Sequence, residues 1–313
     1  MKNTLALIFL CGPCCYDPQA FATTGDLLYT FNDPPMGGGD FFGFSVAVDG
    51  NHVLIGAVQD GTNGDFAGQA HLYDATTGNL LHTFNDPTVT RRDRFGWSVA
   101  VDGNHVLIGE VGDDTNGTDV GQAHLYDATT GNLVHTFNDP TVASNNLFGV
   151  SVAVDGNHVL IGATRDDTNG IDAGQAHLYD ATTGNLVHTF NDPTVRGSGR
   201  FGRVAVDGNH VLVGAPFSST NGFQNGQAHL YDATTGNLLH TFNDPTVTRR
   251  DWFGASVAVD GNHVLIGEYR HKTNGHTEAG QAHLFLVPEP GTGCLLAGLG
   301  LIAAGFRGRI MAQ

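Results

Sequence analysis

From residue 42 to residue 287 the apolar side chains fall in short runs rich in Val, Leu, Ile, Tyr, Phe and Thr, and no window shows the spacing of a helix. In the first stretch the runs cover residues 45–48, 52–57, 69–74 and 80–84. Asp49-Gly50-Asn51 separates the first two, and Thr76-Thr77-Gly78-Asn79 separates the last two. Both are tight-turn sequences, so the stretch predicts two hairpins, that is, four antiparallel strands.

This pattern recurs. The segment that opens with Phe42-Gly43 returns at Phe95, Phe148, Phe201 and Phe253, at steps of 53 residues except one of 52, where the repeat at Phe201 lacks a counterpart of Ser151. A second block opening at Gly68 returns at Gly121, Gly174 and Gly226. A fixed period of this length marks a solenoid or a propeller. Four strands per unit predict an all-β, five-bladed β-propeller of four-stranded antiparallel blades. The ends suggest how it closes. Residues 23–34 align with residues 76–87, the fourth strand of a blade, whereas the last repeat stops after its third strand at 281–287. The segment 27–31, from Leu27 to Phe31, is therefore expected to join the last blade and cover two open sheet edges.

Phe-Gly, then Ser-Val-Ala-Val, then Val-Gly214-Ala215-Pro216 resembles the FG-GAP repeat of integrin α-chain propellers. The stretch from Asp113-Asp114-Thr115-Asn116-Gly117 to Gly121 is closer to the bacterial form of that repeat. Integrin propellers carry more blades, and they hold calcium in the hairpin between the first and second strands. Here that hairpin, Asp49-Gly50-Asn51-His52, has a single carboxylate, too few oxygens for a hard cation. The next loop is richer in acids: Asp113, Asp114 and Asp119 in one repeat, Asp166, Asp167 and Asp172 in the following one. These are the candidate ligands for weak calcium binding, with solvated turn acids as the plainer reading.

The two ends read as addresses. Lys2, an apolar run at 5–10 and Ala20-Phe21-Ala22 form a signal-peptide pattern over residues 1–22, leaving the repeats to occupy 23–287. Cys11-Gly12-Pro13-Cys14 has dithiol spacing but no βαβ context for redox work. At the other end, Pro288-Glu289-Pro290, the apolar run 294–306 and then Arg307 and Arg309 resemble the PEP-CTERM sorting signal. That resemblance implies an exosortase-type sorting enzyme as partner and a short transmembrane segment at 294–306 that anchors the chain transiently in the inner membrane.

Charge and chemistry narrow the function. The net charge is -17, with 31 acids against 14 Lys and Arg, which argues against nucleic acid or anionic lipid as the partner of the repeats. There is no cysteine between residues 23 and 287, no nucleophile with a supporting base and no phosphate-cradling glycine loop. The expectation is a non-enzymatic protein without a cofactor. Of the 16 histidines most stand at aligned strand positions such as His52, His71 and His82, which suits packing between blades better than one metal site. Variation between repeats is confined to the blade-to-blade crossings and the loops between second and third strands, which emerge on one face. Arg91, Arg92, Trp97, Arg249, Arg250 and Trp252 are the candidate ligand-binding residues there, able to grip acidic sugars by charge and stacking. The reading is an exported cell-surface or extracellular-matrix binding module for polysaccharide or protein. A structural surface protein without a specific ligand and a weak calcium-binding adhesion protein are its alternatives.

Overall fold

The computed structural model describes residues 25–34, 38–88, 92–194, 197–220, 222–246, 250–272 and 278–287. Arg91, Arg249, the signal-peptide pattern, Pro288, Glu289, Pro290, the apolar run 294–306, Arg307 and Arg309 lie outside the described residues. Among the described residues every regular element is a strand.

The first blade is β1 (Phe42–Asp49), β2 (His52–Ala57), β3 (Gln69–Asp74) and β4 (Leu80–Asn85), hydrogen-bonded in that order. Three further four-stranded sheets repeat it, beginning with β5 (Phe95–Asp102), β9 (Phe148–Asp155) and β13 (Arg203–Asp207). The fifth sheet has three strands, β17 (Ser256–Asp260), β18 (His263–Glu268) and β19 (Gln281–Leu286). All pairings are antiparallel, and Asp49↔His52 closes the first hairpin at the expected turn. First strands stack on one another along the array, β1 on β5, β5 on β9, β9 on β13 and β13 on β17, which is the propeller-like arrangement the repeat implies.

Alternation along the first strand builds each junction. In β1 the Ala47 side joins the cluster shared with blade 2, where Leu54, Leu72 and Phe84 meet Phe95, Val106, Ile108 and Tyr126. The later junctions repeat this set of residues. Phe95 is completely buried over His124 and edge-on to Tyr126. The Tyr126 hydroxyl donates to the carbonyl of Asn85 at 3.1 Å, and Tyr179 and Tyr231 repeat the tie from the third strand to the preceding fourth strand.

The expected closure is not seen as a strand ladder among the described residues. The segment from Leu27 to Phe31 lies on blade 1, where Phe31 stacks on Tyr73 at 4.6 Å and the Tyr73 hydroxyl donates to the carbonyl of Asn32. These are the contacts that β4 makes with blade 2, through Phe84 and Tyr126. The segment thus occupies the place of a preceding fourth strand, yet no strand ladder joins it to β19. Val46 and Val48 of β1 are 68% and 70% exposed and Leu284 of β19 is 67% exposed, so these faces of the first and last blades are uncovered among the described residues.

Candidate functional site

Crossings and second-to-third strand loops are knitted into one surface. Backbone amides of Arg92 and Arg94 donate to the carbonyls of Asp65 and Phe66, that of Arg200 to Asp172, and that of Arg250 to Phe223. Of the 14 Lys and Arg in the chain, all but Lys2, Arg307 and Arg309 belong to these segments or to the strand start at Arg203. The hairpins of the opposite face carry aspartates instead, at Asp49 and Asp74 and their copies. The protein is strongly acidic overall, but its cations are gathered on the loop face.

A cavity of about 320 Å³ opens among these loops, lined by Arg94, Trp97, Arg165, Arg200, Arg203 and Phe217 and also by the Asp119 carboxylate. The Arg200 guanidinium lies 4.5 Å over the Phe217 ring and Arg94 lies 5.8 Å over Trp97. Phe217 stacks at 4.7 Å on Trp252, which in turn carries Arg270 at 4.4 Å. Burial holds Arg203 below the ordinary arginine range, an electrostatic cost that an anion in the cavity would offset.

Of the expected ligand-binding residues, Trp97 lines the cavity and Trp252 stands behind its wall, while Arg92 and Arg250 lie over Phe66 and Phe223 in separate blades. Sequence reasoning did not single out Arg94, Arg165, Arg200 and Arg203. The usable signal was partial asymmetry: Arg94 and Arg200 share a position that is Phe41, Leu147 and Trp252 in the other repeats, Arg165 shares one with Arg270, and Arg203 stands opposite Val150.

The expected calcium ligands separate into two kinds. Asp114 and Asp167 cap their own loops, accepting from the amides of Asp119 and Asp172 at 2.7 Å. Arg200 approaches Asp172 at 4.0 Å. Asp113 and Asp166 turn inward and are buried in different junctions. Asp113 belongs to a cradle whose other members are Asp86 after β4, Asp93 in the crossing and Glu110 at the end of β6 (His105–Glu110). Ligand atoms of Asp93, Glu110 and Asp113 lie within 4.8 Å of one another, as do those of Asp86, Glu110 and His124. In the junction of blades 4 and 5 the aligned residues Asp244, Asp251, Glu268 and His271 form one such group, all buried. Burial first, and then the neighbouring Asp86, Asp113 and Asp93, push the Glu110 carboxyl well above the usual carboxylate range. Burial also raises Asp113, Asp244 and Glu268.

The aligned strand histidines sit beside these cradles. The Nδ1 of His71, His124, His177 and His229 each meets a Thr hydroxyl on the fourth strand at 3.1 Å. On its other side the His124 ring places Nε2 2.9 Å from Glu110 Oε2. Burial lowers the His71, His124 and His229 imidazoles to about 4.

Repeated antiparallel sheets with an exposed loop face define a propeller-like scaffold, and comparison with known families agrees. The FG-GAP repeat model matches residues 36–73, 89–126, 139–179 and 247–285, and the PEP-CTERM protein-sorting motif matches residues 286–310. The chain thus carries four matched FG-GAP repeats and a C-terminal PEP-CTERM sorting motif. The repeat at Phe201 lies outside the matched segments, yet it folds into four strands like the others. No curated protein matches the sequence. The two matches point to an exported, cell-surface protein with an adhesion-like module, and the sorting motif implies recognition by an exosortase.

Proposed function

We propose that the protein is a non-catalytic surface or matrix binding module that holds acidic polysaccharide in the loop-face cavity. The observation that carries this reading is the gathering of Arg94, Arg165, Arg200 and Arg203 with Trp97 and Phe217 around one opening in a chain of net charge -17. Carboxylated or sulfated sugars suit such a site, because guanidinium forks pair with oxyanions and aromatic faces stack on sugar rings. Blades built on near-identical strands supply a rigid frame, and the loops supply the specificity.

Retention of purified full-length protein on immobilised acidic polysaccharide, with a neutral polysaccharide beside it, tests this. Arg165→Ala with Arg200→Ala should weaken acidic-sugar retention by about tenfold or more, each lost charge-assisted contact contributing about 1–2 kcal/mol. Unchanged retention by that variant, or equal retention on both sugars, would overturn the site. Absence of any retention would favour a structural surface protein.

A further inference from the structure

We propose that the junction of blades 1 and 2 and the junction of blades 4 and 5 are built as divalent-cation sites, held by Asp86, Asp93, Glu110 and Asp113 in one and by Asp244, Asp251, Glu268 and His271 in the other. The four positions recur at fixed intervals, one after the fourth strand, one in the crossing, one at the end of the next second strand and one in the following loop. Two adjacent blades thus contribute to each cradle, and an ion there would cross-link them.

Repetition supplies the internal comparison. Glutamate stands at the third position only in these two junctions; elsewhere the chain has Ala57, Ala163 and Ala215. Between blades 2 and 3 the set becomes Asp139, Asn146, Ala163 and Asp166. There the Asn146 amide donates to Asp139 at 2.7 Å and to Asp166 at 3.1 Å, and the Thr141 hydroxyl lies within hydrogen-bond reach of both acids. Between blades 3 and 4 it becomes Asp192, Gly199, Ala215 and Ser218, and the serine hydroxyl donates to Gln227 at 2.9 Å. Between blades 2 and 3, neutral donors of the protein reach the acids, whereas at the first blade the aligned Asp33 and Asp40 keep unpartnered oxygens beside Asp60, with Ala57 at the third position.

In the two glutamate junctions oxygens are also left unpartnered. Glu110 is fully buried with Oε1 unpartnered, and Asp86 Oδ2 beside it is unpartnered too. Glu268 Oε2 and Asp244 Oδ2 repeat this in the other junction. Carboxyl oxygens buried without donors are costly as anions, and a divalent cation would supply the missing charge in place of protons. His124 and His283 direct Nε2 to the glutamates at 2.9 and 3.0 Å, the arrangement of a group that orients a ligand from behind. Across the ladder from Glu110, the unpartnered Gln122 Oε1 offers a neutral oxygen. An all-oxygen carboxylate set suits Ca2+, whereas the imidazole of His271 shifts the second set toward Mn2+.

The test uses the full chain, stripped with EDTA, dialysed against CaCl2 or MnCl2 and assayed for bound metal by mass spectrometry. Glu110→Ala and Glu268→Ala install the residue the other repeats already carry, so both variants keep a junction the fold accommodates. Each should retain about one ion fewer than the parent, and the double variant about two fewer. The parent's melting temperature should rise on adding metal, and the double variant's rise should be lost. Asp166→Asn, in the junction of blades 2 and 3, should leave the ion count unchanged. A parent that retains no metal at millimolar concentration, or a double variant that retains as much as the parent, would overturn the proposal. The buried acids would then share protons instead.

Discussion

At the residue scale the motif glycines show what each junction demands. Gly109 and Gly149 face each other across the junction of blades 2 and 3, and a Cβ on Gly109 would overlap the Gly149 carbonyl and the Ser98 hydroxyl. Gly149 itself has φ +85°, a conformation that favours glycine. Gly109→Ala should therefore cost about 3 kcal/mol, read as a lower urea midpoint. His229 supports a second expectation. It is fully buried, and burial lowers it to about 4 although Asp192 opposes the shift. Unfolded, it would titrate near 6.5, so between about pH 6.5 and 4 the unfolded chain binds a proton that the folded one does not. Stability is full above that window, falls as pH drops through it and levels off below. His229→Gln should flatten the decline by about 1 kcal/mol per pH unit, and chemical denaturation at several pH values checks it.

At the element scale, a blade is held by the strand it meets in the next blade as much as by its own ladder. Phe95 is completely buried between β5 and the third strand of its blade. Phe95→Ala should cost about 3–5 kcal/mol. Tyr126→Phe should cost only about 1 kcal/mol, since the last blade already uses Phe285 at that position and only the bond to Asn85 is lost. If thermal unfolding ranked the two variants in the opposite order, the hydroxyl tie and not the buried ring would be the main fastener. The strands and hairpins were legible in the sequence because alternation and turn residues are local. The cradle was not. Asp113 and Asp114 look alike along the chain, and only packing against the neighbouring blade sends one inward and leaves the other capping its loop.

At the scale of the whole molecule, the two open ends are the halves of one junction. Inside the array the Ala face of each first strand meets the Val face of the next, as with Ala47 against blade 2 and Val257 against blade 4. Blade 1 is left with Val46 and Val48, and blade 5 with the exposed Leu265 and Leu284. We propose that these faces meet when the segment from Leu27 to Phe31 serves as the missing strand of the last blade, giving a closed monomer. Sedimentation should then show one species at all concentrations, and Val46→Asp should destabilise it by about 2 kcal/mol. Concentration-dependent association, abolished by the same substitution, would instead mean that copies join end to end.

The sequence by itself determined the number of repeats, the strands within each, the turns between them and the sorting motif at the end, because all of these are written in short-range pattern. It also confined variation to one set of loops. Only the tertiary structure decided which charged side chains converge. Arg94, Arg165, Arg200 and Arg203 come from three repeats, and the cradle acids come from two blades at a time. The angle between blades, set by the close approach of glycine backbones and by buried rings, brings such residues together, and no linear spacing records that angle.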